Sequence, residues 1–270
     1  MEFRDIDWNR LWQENRKTKS WRGRKKSDWD RRAPSFARRN LHSDYVERFL
    51  ALLRPEASWR VLDVGAGPGT LAIPLAGMVC GVTAVDFSAR MLAALREEAE
   101  KAGLVNIHTV QAAWEDDWSL HSIEPHEVAV ASRSLSVDDL GAALAKLHRW
   151  ATKRVVVSDR VGAGPFDPDL FAAVGRDFSP GPDYIYTVNL LYQMGIHATV
   201  DFVELERCRT FQSREEVLDS CRWMLDELSS EEEERLAAYV DERLTPLAGG
   251  AWSFCRRTPV RWAVIRWDKE

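Results

Sequence analysis

Between residues 59 and 159, short apolar runs alternate with stretches whose apolar residues recur at helical spacing. That alternation marks a parallel sheet with helices on its faces. "WRVLDVG" (59–65) predicts a first strand, and "GTLAIPLAGMV" after it a helix opening near Leu71. Pro74 then falls in the first helical turn, where N–H groups lack a partner within the helix anyway. "GVTAVDF" predicts the second strand and "SARMLAALREEAEKAG" the second helix. Ser88 is its cap, Phe87 and Leu92 its hydrophobic staple, and Gly103 its terminator.

"NIHTVQA", "HEVAVASRSL" and "KRVVVSD" supply three more strands. Ser136 and Asp139 form a capping box for the helix "DLGAALAKLHRWA". Five such units with no further repeat predict a doubly wound sheet rather than a barrel. After Asp159 the pattern changes to a proline- and aromatic-rich insertion at about 160–198, with a helix near 185–195. "ATVDFVELERCRTF" then reads as one strand, followed by helices capped by Ser213 with Glu216 and by Ser229 with Glu232. "PVRWAVIRW" alternates by two and returns as a strand antiparallel to 200–211.

Composition narrows the class. The chain is 45% hydrophobic and 29% charged, which fits a soluble globular protein with a proper core. A net charge of −5 argues against nucleic acid binding by the chain as a whole. No apolar run is long enough for a membrane span, and "MEFRDIDWNRLW" carries charge where a signal peptide needs an apolar core. A cytoplasmic location follows. Cys80, Cys208, Cys221 and Cys255 stand apart, with no metal-ligand spacing, so they are expected as reduced, packed thiols and no metal is implied. Many of the twelve tryptophans sit near the chain ends, which should therefore pack onto something.

Residues 1–45 differ from the rest and read as a basic, aromatic lid or arm on a catalytic domain spanning 46–270. Between 16 and 39 lie eleven Lys/Arg against Asp28 and Asp30. The arm is a solvated face, a clamp for an anionic substrate, or a contact for RNA.

Candidate chemistry begins at "VLDVGAGPG" (61–69), with Gly65, Gly67 and Gly69 following Asp63. The third glycine comes one residue too early for a dinucleotide fingerprint, and the Lys-Ser/Thr of a P-loop is missing. Asp86 ends the second strand about 20 residues on, where a carboxylate accepts hydrogen bonds from both ribose hydroxyls of an adenosine ligand.

The pattern D-x-G-x-G-x-G on strand, turn and helix resembles motif I of the class I methyltransferases that use S-adenosylmethionine (SAM). The likeness runs across roughly residues 59–160. It implies a Rossmann-like α/β fold with a seven-stranded sheet, five parallel strands plus a C-terminal antiparallel pair. It also implies SAM as methyl donor, S-adenosylhomocysteine (SAH) as product, and direct in-line transfer. Asp63 would lie by the methionine ammonium and sulfonium region, and Ala113, Trp114 and Glu115 in the adenine loop. The implied cofactor set is Asp63, Gly65, Ala66, Gly67, Gly69, Asp86, Phe87, Ser88, Met91, Ala113, Trp114, Glu115 and Ser132. The chain looks closest to the ubiquinone/menaquinone-biosynthesis-type group, which acts on small molecules.

On the acceptor side, Ser132, Arg133 and Ser134 should line the cleft beyond the fourth strand. Arg133 either binds a substrate anion or pairs with Asp138 or Asp139. His42, Arg133 and Tyr186 are candidates for catalysis, and Phe36, Arg133, Tyr184 and Asn189 for substrate binding. A small-molecule acceptor is favoured. The alternatives are an RNA or protein acceptor engaged through residues 16–39, and a non-catalytic binder of SAM or another nucleotide.

Overall fold

In the computed structural model, which describes residues 3–20, 43–225 and 227–269, the expected units are arranged as a parallel sheet. Its strands are β1 (Arg60–Val64), β2 (Gly81–Asp86), β3 (Ile107–Gln111), β4 (His126–Ser132) and β5 (Ala151–Arg160). After β6 (Thr199–Glu204) the chain leaves to build a second sheet from β7 (Cys208–Phe211), β8 (Leu244–Pro246) and β9 (Trp252–Cys255). It returns as β10 (Arg261–Asp268), which inserts between β5 and β6 and runs antiparallel to both. The large sheet has the order β3-β2-β1-β4-β5-β10-β6. The order in which the chain adds strands reverses between the parallel neighbours β1 and β4, so the ligand crevice opens beyond the carboxyl ends of those two strands.

Both faces of the sheet are covered, which is why its strands are apolar at successive positions. On one face Leu62, Val64, Ala129, Ala131, Val155 and Val157 pack against α5 (Leu140–Trp150) and, through Trp12 and Leu191, against α1 (Trp8–Thr18) and α7 (Tyr184–Gln193). On the other, Val61, Val128, Val130 and Val156 meet α2 (Asp44–Leu53) and α3 (Ala72–Ala76). The tryptophan-rich ends do pack inward. Trp12, Trp262 and Trp267 are buried, and the Trp12 indole N–H donates to the Val137 carbonyl at 2.9 Å.

Ser88 caps α4 (Ala89–Lys101), accepting from the Met91 N–H at 3.1 Å. Ser213 caps α8 (Arg214–Arg222), and Ser229 forms a reciprocal capping box with Glu232 on α9 (Ser230–Arg243). Three local expectations are corrected. Asp139, not Ser136, caps α5: the helix opens one residue after Asp139, whose carboxylate accepts from the Ala142 N–H at 2.7 Å. The stretch 200–211 is two strands in two sheets, because Val203 belongs to the core under the large sheet while Phe211 belongs to another.

That other core lies against the small sheet. α6 (Pro168–Ala173), α8, α9 and the small sheet bury Phe171, Val217, Leu236, Tyr239 and Phe254 together. Across β7 and β9 of the small sheet Cys208 and Cys255 stand directly opposite each other and are joined by a disulfide. They are therefore not reduced thiols. Cys80 and Cys221 are free, the first exposed and the second buried.

Candidate functional site

The glycine turn is shaped by contact and by backbone conformation. Gly65 has φ +73°, and a Cβ there would lie 2.4 Å from the Ser134 Cβ, so no larger residue fits. Ser134 in turn donates its hydroxyl to the Val64 carbonyl at 2.7 Å, locking the end of β4 to the end of β1. Gly67 has φ +56° and nothing within 4 Å of its missing side chain, so its backbone faces open space. At Gly69 a Cβ would meet Ile73 at 2.8 Å and Leu95 at 3.0 Å, so this glycine serves helix packing. Ala66 is buried and its N–H, like that of Gly65, donates to the Val85 carbonyl.

Two carboxylates flank the turn. Asp86 accepts from the Gly67 N–H and from the Ser88 N–H, each at 2.8 Å. The end of β2 is thereby tied to the glycine turn and to the start of α4, where Met91 is buried and Phe87 half-buried. Asp63 is 2% exposed, and its Oδ2 has no hydrogen-bond partner. Burial, reinforced by the neighbouring charge of Asp86, pushes its pKa up to about 7, and a backbone bond from Ala72 opposes the shift. A buried carboxylate oxygen without a donor is costly unless a ligand supplies one.

The loop after β3 is closed by its own bonds. Ala113 donates its N–H to Asp116 Oδ2 at 2.8 Å and accepts the Trp118 indole N–H at 3.0 Å. Trp114 packs on the core with its ring centroid 5.8 Å from that of Trp118, while the Lys146 ammonium donates to its carbonyl at 2.5 Å. Glu115 is exposed.

Beyond β4, Ser132 Oγ lies 2.6 Å from the Tyr45 hydroxyl, which is also 2.6 Å from Ser158 Oγ. This buried bridge joins α2 to the ends of β4 and β5. Sequence reasoning missed Tyr45 and Ser158, since partners 87 and 113 residues apart leave no local signal. Arg133 does not pair with Asp138 or Asp139. Asp138 is held by Arg16 at 2.9 Å, and Asp139 accepts from Asn9 at 3.0 Å besides capping α5.

The other acceptor-side candidates do not gather at the turn. The Tyr186 hydroxyl accepts from Asn15 Nδ2 at 2.7 Å, and its ring packs on Trp8 and Trp12 between α1 and α7. Tyr184 meets Phe202 edge-on, and Asn189 donates to the Ile185 carbonyl of its own helix at 2.7 Å. His42 and Phe36 lie outside the described residues, as does most of the basic arm. Among the described residues no group of His, Cys, Asp and Glu is placed to hold a metal, and no helix is long and apolar enough to cross a membrane.

A glycine turn at the switch point of this sheet, with one strand-end carboxylate fixed across it and another lacking a donor, defines a site for a cationic adenosyl ligand. Residues 61–154 match the family model of a methyltransferase domain. The chain belongs to the class I SAM-dependent methyltransferases; it is an enzyme whose methyl donor is SAM and whose product from it is SAH. The residues present suit that cofactor: Asp63 Oδ2 lacks a donor, and the open face of Gly67 leaves room for the ligand.

A relative from Haemophilus influenzae strain Rd, an uncharacterized protein, is 35% identical over 246 residues, 89% of this chain and 88% of its own. A ubiquinone biosynthesis O-methyltransferase from Methylocella silvestris is 47% identical, over only 51 residues, 19% of this chain and 20% of that one. Among solved structures, a candidate methyltransferase from Bacillus halodurans C-125 aligns with TM-score 0.56 and 16% identity, covering 83% of this chain and 98% of its own. That likeness supports the fold.

Proposed function

We propose that the protein methylates a small molecule by direct in-line transfer. The observation that carries this reading is the way the chain roofs its own strand ends. Arg16, in the last turn of α1, donates to the Val137 carbonyl and to Asp138 in the loop after β4. Two residues past α1, Ser20 and Ser179 exchange hydrogen bonds of 3.0 and 2.6 Å, closing the end of the described N-terminal segment onto the loop between α6 and α7. The described part of this segment, residues 3–20, thus serves as a cover over the domain. A cover of this kind suits a metabolite, and it uses Arg16, the first cation of the basic stretch, internally instead of offering it to a polymer. The partial likeness to a ubiquinone-biosynthesis enzyme supports the same small-molecule group.

Bound SAM supplies an electrophilic methyl group on a sulfonium centre. Asp63 offsets the positive charge of the ligand, and Asp86, already oriented by Gly67 and Ser88, accepts the ribose hydroxyls. The loop 113–115 borders the adenine. Orientation of the two reactants contributes most of the rate, so no acid or base is required of the chain.

Incubating the protein with methyl-labelled SAM and a cell extract, then separating acid-precipitable from low-molecular-weight label, tests the reading. Label in the small-molecule fraction is expected. Label confined to RNA or protein would overturn it.

A further inference from the structure

Arg133, the first residue after β4, has a left-handed backbone with φ +57°, a conformation that costs free energy for a residue of this size. The turn is held by Ser158, whose Oγ and carbonyl accept the Arg133 N–H at 3.0 and 3.3 Å. As a result the side chain folds back toward α2 and β10. Its guanidinium carbon sits 4.3 Å from the centroid of the Tyr45 ring and 6.0 Å from that of Trp262. Tyr45 is itself fixed by Ser132 and Ser158. The cation is therefore pre-oriented by three elements at once.

A guanidinium drawn into a half-buried site is ordinarily matched by a carboxylate. Among the described residues none plays that part. Asp138 and Asp139 are engaged elsewhere, and no ion pair includes Arg133. Burial presses its pKa down, opposed by the Tyr45 hydroxyl rather than by an acid. Stacking against Tyr45 occupies a face of the guanidinium and leaves its in-plane N–H fork free, the geometry that takes an oxyanion bidentately. Ser134, the next residue, touches the glycine turn through Gly65 and Val64, so the backbone that carries Arg133 borders the cofactor turn.

We infer that Arg133 anchors an oxyanionic group, carboxylate or phosphate, of the methyl acceptor. This rests on the small-molecule reading above. The anchored group fixes one end of the acceptor at the end of β4, and the nucleophilic atom elsewhere on the molecule is presented to the donor. Arg133 is a substrate-positioning residue and takes no proton.

Calorimetric titration of the SAH-saturated protein with benzoate, phenyl phosphate and the neutral benzamide tests this. The wild type should bind at least one anion about tenfold more tightly than benzamide, and the anion preferred separates carboxylate from phosphate. Arg133→Met should reduce anion affinity to that of benzamide while SAH affinity stays within about twofold. Arg133→Lys keeps the charge without the fork and should bind the preferred anion at least about threefold more weakly than wild type. Equal anion affinity in wild type and Arg133→Met, or wild-type binding of benzamide as tight as both anions, would overturn the inference. Should the methionine variant fail to bind SAH, a lysine variant indistinguishable from wild type overturns it. Absence of SAH binding by the wild type would count against the cofactor assignment instead.

Discussion

The carboxylate of Asp86 accepts the backbone N–H of Gly67 at 2.8 Å, fixing the acidic end of β2 to the turn that follows β1. Its other oxygen is held by Ser88, so the group is oriented before any ligand arrives. Asp86→Ala should weaken SAM binding by at least about tenfold, since it removes two charge-assisted acceptors. Titration calorimetry checks this, and unchanged affinity would show that the ribose lies elsewhere.

With Asp63 beside the ligand's positive charge, as proposed, SAM affinity should depend on pH. Burial raises its folded pKa from 3.8 to about 7, so in the free protein it is largely protonated at pH 6. The sulfonium keeps its charge throughout and favours the ionised carboxyl, so affinity must rise with pH until Asp63 is ionised without the ligand. Between pH 6 and 7.5 the dissociation constant should fall roughly tenfold, and Asp63→Asn should remove that dependence. The same shift costs stability in the free protein as pH rises from the unfolded to the folded pKa, so melting without SAM should occur at lower temperature at pH 7.5 than at pH 5.

Gly65→Ala should destabilise the fold by about 2–4 kcal/mol, because the new Cβ meets Ser134 and the backbone stays left-handed. Urea denaturation reads the loss. Gly67→Ala meets no neighbour. It carries only the backbone cost, about 1 kcal/mol, so a larger effect at 67 than at 65 would contradict this assignment of roles.

The Cys208–Cys255 bridge closes a loop of 47 residues around the small sheet. Chain entropy alone assigns such a closure about 4 kcal/mol. Reduction, or Cys255→Ser, should lower the denaturation midpoint of the 166–254 core while leaving SAH affinity within about twofold, since the cofactor turn rests on the other two cores. Loss of SAH binding on reduction would show the two regions to be coupled.

Much of this molecule was legible in one dimension. The strand–turn–helix around Asp63, the acid at 86 and the caps at Ser88, Ser213 and Ser229 are written in residues a few positions apart. What was illegible depends on distant partners. The bridge from Tyr45 to Ser132 and Ser158 spans three elements, and Cys208 meets Cys255 only once β7 and β9 pair. The α5 cap was misplaced because Ser136 and Asp139 both carry capping chemistry; where the backbone turns helical, which spacing does not show, decided it. Arg133 was readable as a cation near the cleft, but that its neighbouring acids are engaged by Arg16 and Asn9 required the docked α1.

Titration of SAH and of NAD into the purified wild-type protein tests the central claim most directly. One SAH should bind per chain and NAD should not, because Gly69 comes too early for the dinucleotide turn and Asp63 suits the amino-acid ammonium that SAH carries and NAD lacks. Tight binding of NAD without binding of SAH would contradict the account.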